Sequence, residues 1–279
     1  MVVLSGFHLK TLLAHPHHGT LGMSLDLGLS RSAVGIAEEF LFPNGERLAR
    51  AVAAEVIRKR NVHDCHELAG GRLRWLYGFD EKEHVACKLY EPAIDWPPTL
   101  MINGAFMHAV ATTTPVREAE AKVRSLRPKG GRVFETCMGL GYCTQALLRA
   151  PVARVIACEI SQEVIALARR NPWSQGALRD PRVVVLPGSA LDAAGELAPG
   201  SIDSVLHDPP TLHRAGELYS AEMYRALLRA LPKGGRLYHY VGTESERTRH
   251  RYRQGVIRRL RAVGFSRIWR AHRGVVAVK

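Results

Sequence analysis

Residues 132–160 constrain the fold more than any other part of the chain. RVFETC (132–137) is a short apolar run, MGLG (138–141) a glycine turn, residues 142–150 a helix, and RVIACEI (154–160) a second strand that closes on Glu159. This order sets a ligand at the carboxyl edge of a parallel sheet, because the glycines let the backbone turn tightly and approach it. Glu159 stands eighteen residues after Gly141, where a carboxylate accepts the hydroxyls of a ribose. A dinucleotide loop has a third glycine three positions after the second; Thr144 stands there, and Glu135 adds a carboxylate just upstream. Both features disfavour a pyrophosphate.

Strands and helices alternate from residue 132 onward, which predicts a doubly wound α/β sheet. Strands are expected at 132–137, 154–160, 182–187, 201–208, 235–242, 266–271 and 274–279, and helices at 118–126, 142–150, 161–171, 190–198, 217–231 and 252–263. Residues 20–42 alternate as short antiparallel strands, 47–60 form an amphipathic helix, and 72–90 return to strand character. EPAIDWPP (91–98) holds three prolines in eight residues and reads as a connector. The boundary is therefore placed at 98, with a small hairpin-rich α+β domain over 1–98 and the α/β domain over 99–279, its lead-in segment spanning 99–131.

Ten arginines, one lysine and no acidic residue fall between Arg247 and Lys279, so this segment carries +11 of a net +13. So concentrated a charge predicts a polyanionic partner. Cys65, Cys87, Cys137, Cys143 and Cys158 form no CxxC pair, which argues against a disulfide framework and a cysteine zinc site and fits a reducing compartment. His15, His17 and His18, like the run His63-Asp64-Cys65-His66, lack zinc spacing, and no metal is expected. With no apolar run of about 18 residues and no basic leader, a cytoplasmic protein away from membranes is expected.

The glycine loop with Glu135 and Glu159 resembles the class I S-adenosylmethionine-dependent methyltransferases, a Rossmann-like seven-stranded family. The resemblance implies S-adenosyl-L-methionine as cofactor, held by Glu135, Thr136, Met138, Gly139, Gly141, Tyr142, Glu159, Ile160, Ser189, Ala190 and His207. Related enzymes carry an aspartate where this chain has Ser189, which leaves the adenine contact to Ser189 or Asp192. Asp208-Pro209-Pro210, at the end of the fourth strand, resembles the Asp-Pro-Pro-aromatic motif of methyltransferases acting on exocyclic amines of nucleobases, with Thr211 in place of the ring. The resemblance makes Asp208, Pro209 and Pro210 the catalytic group, a cluster of acceptors that orients an amine.

Asn171-Pro172-Trp173-Ser174, residues 215–220, the run Tyr238-His239-Tyr240, and Asn103 to His108 are together similar to a group of archaeal predicted methyltransferases. That likeness implies RNA methylation at a cytidine N4 in ribosomal RNA. Phe106, His108, Trp173, Tyr219, His239, Arg247, Arg249 and Arg251 are the expected substrate contacts, with Tyr219, Trp173, Phe106 or His213 supplying the missing ring. Two alternatives stand beside this: an aminopropyltransferase similar to spermidine synthases, which would call for an acidic pocket, and a non-catalytic RNA-binding protein.

Overall fold

A computed structural model describes residues 1–16, 18–81, 84–242 and 246–279; His17 and the side chains of Glu246 and Arg247 lie outside the described residues. The chain forms two compact units, Met1–Pro115 with Ala166–Gln175, and Val116–Ile165 with Gly176–Lys279.

The first unit contains three antiparallel sheets. Val2–Ser5, Cys65–Ala69 and Arg72–Trp75 form one, and Gly19–Met23, Ser32–Ile36, Glu39–Leu41 and Arg47–Ala49 a second. The alternating positions Val34, Ile36, Phe40 and Leu48 face inward and meet Leu9, Leu12 and Ala53 from helices Gly6–Ala14 and Arg50–Lys59. Sequence periodicity did not reveal Gly6–Ala14. Its N-terminus is closed by a capping box in which a histidine replaces the usual Glu or Gln: Ser5 Oγ accepts from Phe7 N, and Ser5 N donates to His8 Nδ1 at 3.2 Å.

The third sheet moves the predicted boundary. Thr99–Ile102 pairs antiparallel with Val85–Tyr90, and Ala105–Phe106 with Thr99–Ile102, so the first half of the lead-in segment completes a sheet of the first unit. The unit therefore ends at Pro115 rather than at 98. Residues 166–175 join it as well, through Arg170 Nε on Glu67 Oε2 at 2.8 Å and the Trp173 indole N–H donating to the Leu27 carbonyl at 2.8 Å.

The second unit holds the expected sheet. Its strands are β1 (Arg132–Glu135), β2 (Arg154–Glu159), β3 (Val183–Pro187), β4 (Ser204–His207), β5 (Arg236–Tyr240), β6 (Ile268–Ala271) and β7 (Gly274–Val278). They lie in the order β3-β2-β1-β4-β5-β7-β6, parallel except that β7 runs antiparallel to both neighbours. Its helices are α1 (Pro115–Leu126), α2 (Tyr142–Leu148), α3 (Gln162–Arg170, shared with the first unit), α4 (Ala190–Glu196), α5 (Ala221–Ala230) and the basic α6 (Glu246–Val263). One face of the sheet buries Phe134, Val205 and Leu237 against Tyr224 and Leu227 of α5 and Val256 and Leu260 of α6. Each fully buried Leu or Val side chain contributes about 1.5–3 kcal/mol. No helix among the described residues is long and apolar enough to cross a membrane.

Candidate active site

Parallel pairing brings the carboxyl ends of β1, β2, β4 and β5 to one edge, and with them Glu135, Glu159, Asp208 and the loops between. Gly139 and Gly141 have φ of 56° and 75°, left-handed values that side chains disfavour. A Cβ added to Gly139 would meet no protein atom within 4 Å, so the loop is an open cradle. Glu159 is fixed beneath it: Oε2 accepts from Gly139 N at 2.8 Å and Oε1 from Ser161 N at 3.1 Å. Burial pushes the Glu159 carboxyl up, while these backbone donors oppose the shift.

Glu135 is wholly buried, and Thr144 Oγ1 donates to its Oε2 at 2.6 Å. The residue that interrupts the dinucleotide pattern thus serves as a partner of this carboxylate. Glu135 Oε1 is buried with no hydrogen-bond partner. Burial raises the Glu135 pKa to about 8, with the Asp208 charge adding to it. An orphan acceptor, an anchored carboxylate and an open glycine cradle fit a ligand that offers a cation and a ribose. Ile160, 72% exposed, leaves an apolar side chain beside Glu159 for such a ligand to cover. Met138 lies in the loop with its N–H on the Cys158 carbonyl, and Tyr142 and Ala190 are buried. Ser189 is the N-cap of α4, its Oγ accepting from Asp192 N at 3.3 Å, which leaves the hydroxyl proton and one lone pair for a further partner.

The acceptor side centres on Asp208. Its Oδ2 receives Lys122 Nζ at 2.6 Å, and the two side chains are 16% and 5% exposed. Lys122 also stands over the Tyr240 ring at 4.2 Å. Burial alone would push the Lys122 ammonium down, yet the charges of Asp208, Cys143, Tyr240 and Glu118 leave it well above its usual value. Asp208 Oδ1 accepts no hydrogen bond among the described residues, so one oxygen is anchored and one remains for an amine. Lys122 escaped sequence reasoning. Its signal was a lysine within the apolar stripe Ala119, Val123 and Leu126 of α1.

Behind Asp208 lies a buried web. His207 is fully buried, its Nδ1 2.9 Å from Thr136 Oγ1 and its Nε2 2.9 Å from the Leu218 carbonyl. His239 is likewise buried, its Nε2 accepting from Tyr224 Oη at 2.8 Å and its Nδ1 2.6 Å from the Tyr240 carbonyl. Burial holds His207 near a pKa of about 4 and His239 well below the usual imidazole range. Every ring nitrogen of these neutral imidazoles is taken inside the protein, so both brace the sheet edge and neither offers the free nitrogen that the expected ligand contacts require. Tyr219 is 4% exposed and donates to the Pro210 carbonyl at 2.8 Å, which holds the Asp-Pro-Pro turn.

Next to that turn is a cavity of about 300 Å³ lined by Thr211, Tyr219, Arg251, Tyr252, Arg258 and Arg259, among others, with no acidic residue among the described ones. Tyr252 supplies a ring on the Thr211 side, its Oη 2.9 Å from His213 Nε2. Sequence reasoning missed it because the ring comes from α6, not from the motif. Arg251 lines the cavity as expected, Arg249 is half-buried, and the Arg247 side chain lies outside the described residues. Phe106, His108 and Trp173 belong to the first unit, where Phe106 packs against Tyr90 at 4.9 Å, and His108 Nδ1 meets Thr99 Oγ1 at 2.9 Å.

No family model matches the chain. The chain is 40% identical over 187 residues to an uncharacterised protein of Methanocaldococcus jannaschii, a match covering 66% of this chain and 64% of that protein. It is 34% identical over 111 residues to the 4-amino-L-phenylalanine/4-methylamino-L-phenylalanine methyltransferase of Streptomyces pristinaespiralis, covering 38% of this chain and 36% of that one. A polyamine aminopropyltransferase of Corynebacterium efficiens is 34% identical over 105 residues, 36% of this chain and 20% of its own length. The chain thus spans less than two thirds of each curated relative it matches. The spermidine synthase of Thermotoga maritima superposes with a TM-score of 0.53 at 16% identity, covering 72% of this chain and 70% of that one. The fold is the Rossmann-like, class I methyltransferase type expected from the sequence, and it is shared with spermidine synthases.

Proposed function

We propose that this chain is an S-adenosylmethionine-dependent N-methyltransferase that acts on an exocyclic amine of a nucleobase in RNA, cytidine N4 of ribosomal RNA being the target the sequence resemblance favours. The observation that carries this reading is the half-anchored Asp208 carboxylate at the sheet edge, beside the cradle formed by Glu135, Gly139 and Glu159. S-adenosylmethionine supplies an electrophilic methyl group on a sulfonium. Asp208 Oδ1 accepts an N–H of the amine and turns its lone pair toward that methyl. Lys122 holds the other oxygen, Oδ2, at 2.6 Å and so fixes the orientation of the carboxylate. Proximity and orientation carry the rate, since an aryl amine loses its proton late and needs no strong base.

The Streptomyces relative acts, by its name, on an amine borne by an aromatic ring, the same chemical class as a nucleobase amine. The polyamine aminopropyltransferase relative favours the second reading, transfer of an aminopropyl group from decarboxylated S-adenosylmethionine to a polyamine. Charge separates the two. A polyamine calls for carboxylates, whereas the cavity beside Asp208 carries Arg251, Arg258 and Arg259 and suits phosphates, with Tyr252 available to stack a base.

The test is incubation of the purified protein with S-adenosylmethionine and unmodified ribosomal RNA, followed by nucleoside mass spectrometry. A methylated nucleoside that Asp208→Asn abolishes is expected. Absence of methyl incorporation, with aminopropyl transfer to a polyamine instead, would overturn the reading.

A further inference from the structure

A second basic surface lies in the same unit and belongs to no part of the site above. The C-terminal half of α1 and strand β6 enclose a groove of about 510 Å³ lined by Arg124, Ser125, Arg127, Arg236, Trp269 and Arg270, with Ala121, Ala271 and His272 completing the wall. No acidic residue lines it among the described residues. Four guanidinium groups share this space, and the ion pair recorded for any of them is the long contact of Arg124 with Glu120, at 3.8 Å on an exposed helix face. Arg270 has no hydrogen bond or ion pair among the described residues. Concentrating like charges this way costs energy unless a counter-charge is supplied.

Two further observations point to a ligand. Trp269 is 43% exposed on β6, the edge strand, so a large aromatic face is left toward solvent beside the arginines. His272 Nε2, at this wall, is buried without a hydrogen-bond partner; burial first of all lowers its pKa, with Glu118 opposing and Arg273, Lys122 and Arg124 adding to the shift. Guanidinium groups recognise phosphates with paired N–H donors, and an aromatic face stacks any base.

We propose that this groove binds single-stranded RNA, its arginines taking successive phosphates and Trp269 stacking on a base. The inference rests on the RNA reading above and extends it to a surface away from Asp208. α1 links the two: Lys122 reaches Asp208, and Arg124 and Ser125 follow within about one helical turn, roughly 5 Å along the axis. The groove would therefore hold nucleotides that flank the target.

The experiment titrates the full chain, without cofactor, with a fluorescent 12-nucleotide uridine oligomer at several salt concentrations. Arg124→Gln/Arg127→Gln/Arg270→Gln is expected to weaken binding at least tenfold and to flatten the logarithmic salt dependence by about 2, since each phosphate contact on a single strand contributes about 0.7. Trp269→Phe should lower affinity several-fold and remove most of the intrinsic fluorescence quenching. The triple variant binding within twofold of the parent with an unchanged slope would overturn the proposal. So would a groove that engages phosphatidylserine vesicles while RNA affinity is unaffected by the substitutions. Methyl transfer by the parent chain, assayed separately, keeps the two readings apart: loss of oligomer binding by the groove variants supports the groove whether or not methyl transfer is detected.

Discussion

Glu135 offers the most direct physical test of the cofactor cradle, because its environment makes ligand binding a proton-release event. Buried, with one oxygen on Thr144 and the other orphaned, it has a pKa of about 8. At pH 7 it is thus about 90% protonated, at pH 8 about half, and at pH 9 about a tenth. S-adenosylmethionine carries an ammonium group; set against Glu135 it would draw the carboxyl below pH 7 and expel its proton. Calorimetric titration in phosphate and in Tris at pH 7 should therefore show about 0.9 proton released per ligand bound, falling to about 0.1 at pH 9. Glu135→Gln should erase the buffer dependence and weaken binding. The linkage also sets a sign for stability. The folded-state pKa lies above the unfolded value, so the favourable contribution is complete below about pH 4.5 and lost as pH rises through about 8. Glu135→Gln should accordingly be the more stable protein at pH 9, by at most about 5 kcal/mol. Identical binding enthalpies in the two buffers at pH 7 would refute the cation-accepting role.

Three other outcomes are expected. Lys122→Met leaves Asp208 without its buried partner and should cost about 3–5 kcal/mol by urea denaturation, whereas Lys122→Met/Asp208→Asn should recover most of it; equal losses would show that the pair is not coupled. Gly139→Ala places a Cβ at φ 56°, where it meets no protein atom within 4 Å, so a stability loss of only about 2 kcal/mol should accompany weakened cofactor binding, both read by thermal melts with and without ligand. His207 is held neutral with a pKa of about 4, below the unfolded value, so its stabilisation is present above about pH 6.5 and lost as pH falls toward 4, by roughly 3 kcal/mol. His207→Gln should shallow the acid-unfolding curve across that window, and a curve of unchanged shape would count against it.

The sheet was legible because its inner parallel strands are largely buried on both faces and read as apolar runs, and the half-buried edge strand Val183–Pro187 is apolar as well. All seven strands lie within a few residues of their expected places, as do the helices between them, except that α6 begins at Glu246, six residues before its expected start. The candidate site was less legible where its chemistry depends on packing. Nothing in the order of residues tells that Lys122 meets Asp208 across 86 positions, or that the ring missing at Thr211 arrives on α6 as Tyr252. Histidines at strand ends look reactive in sequence, yet His207 and His239 found partners for every nitrogen inside the web beneath the edge. The first unit was hardest because its strands are short, and because the helix Gly6–Ala14 is capped by a histidine where a glutamate would have been the signal.

The hydrogen bond from Thr144 to Glu135 has an evolutionary corollary. Thr144→Gly, the single exchange that would complete a dinucleotide-type glycine pattern, would strip Glu135 of its remaining donor and leave both carboxylate oxygens orphaned inside the protein. Replacing Glu135 first would forfeit the cation-accepting group while Thr144 still blocked the pattern. Neither step is neutral alone, so a lineage carrying this pair is held to its kind of cofactor by two residues that must change together.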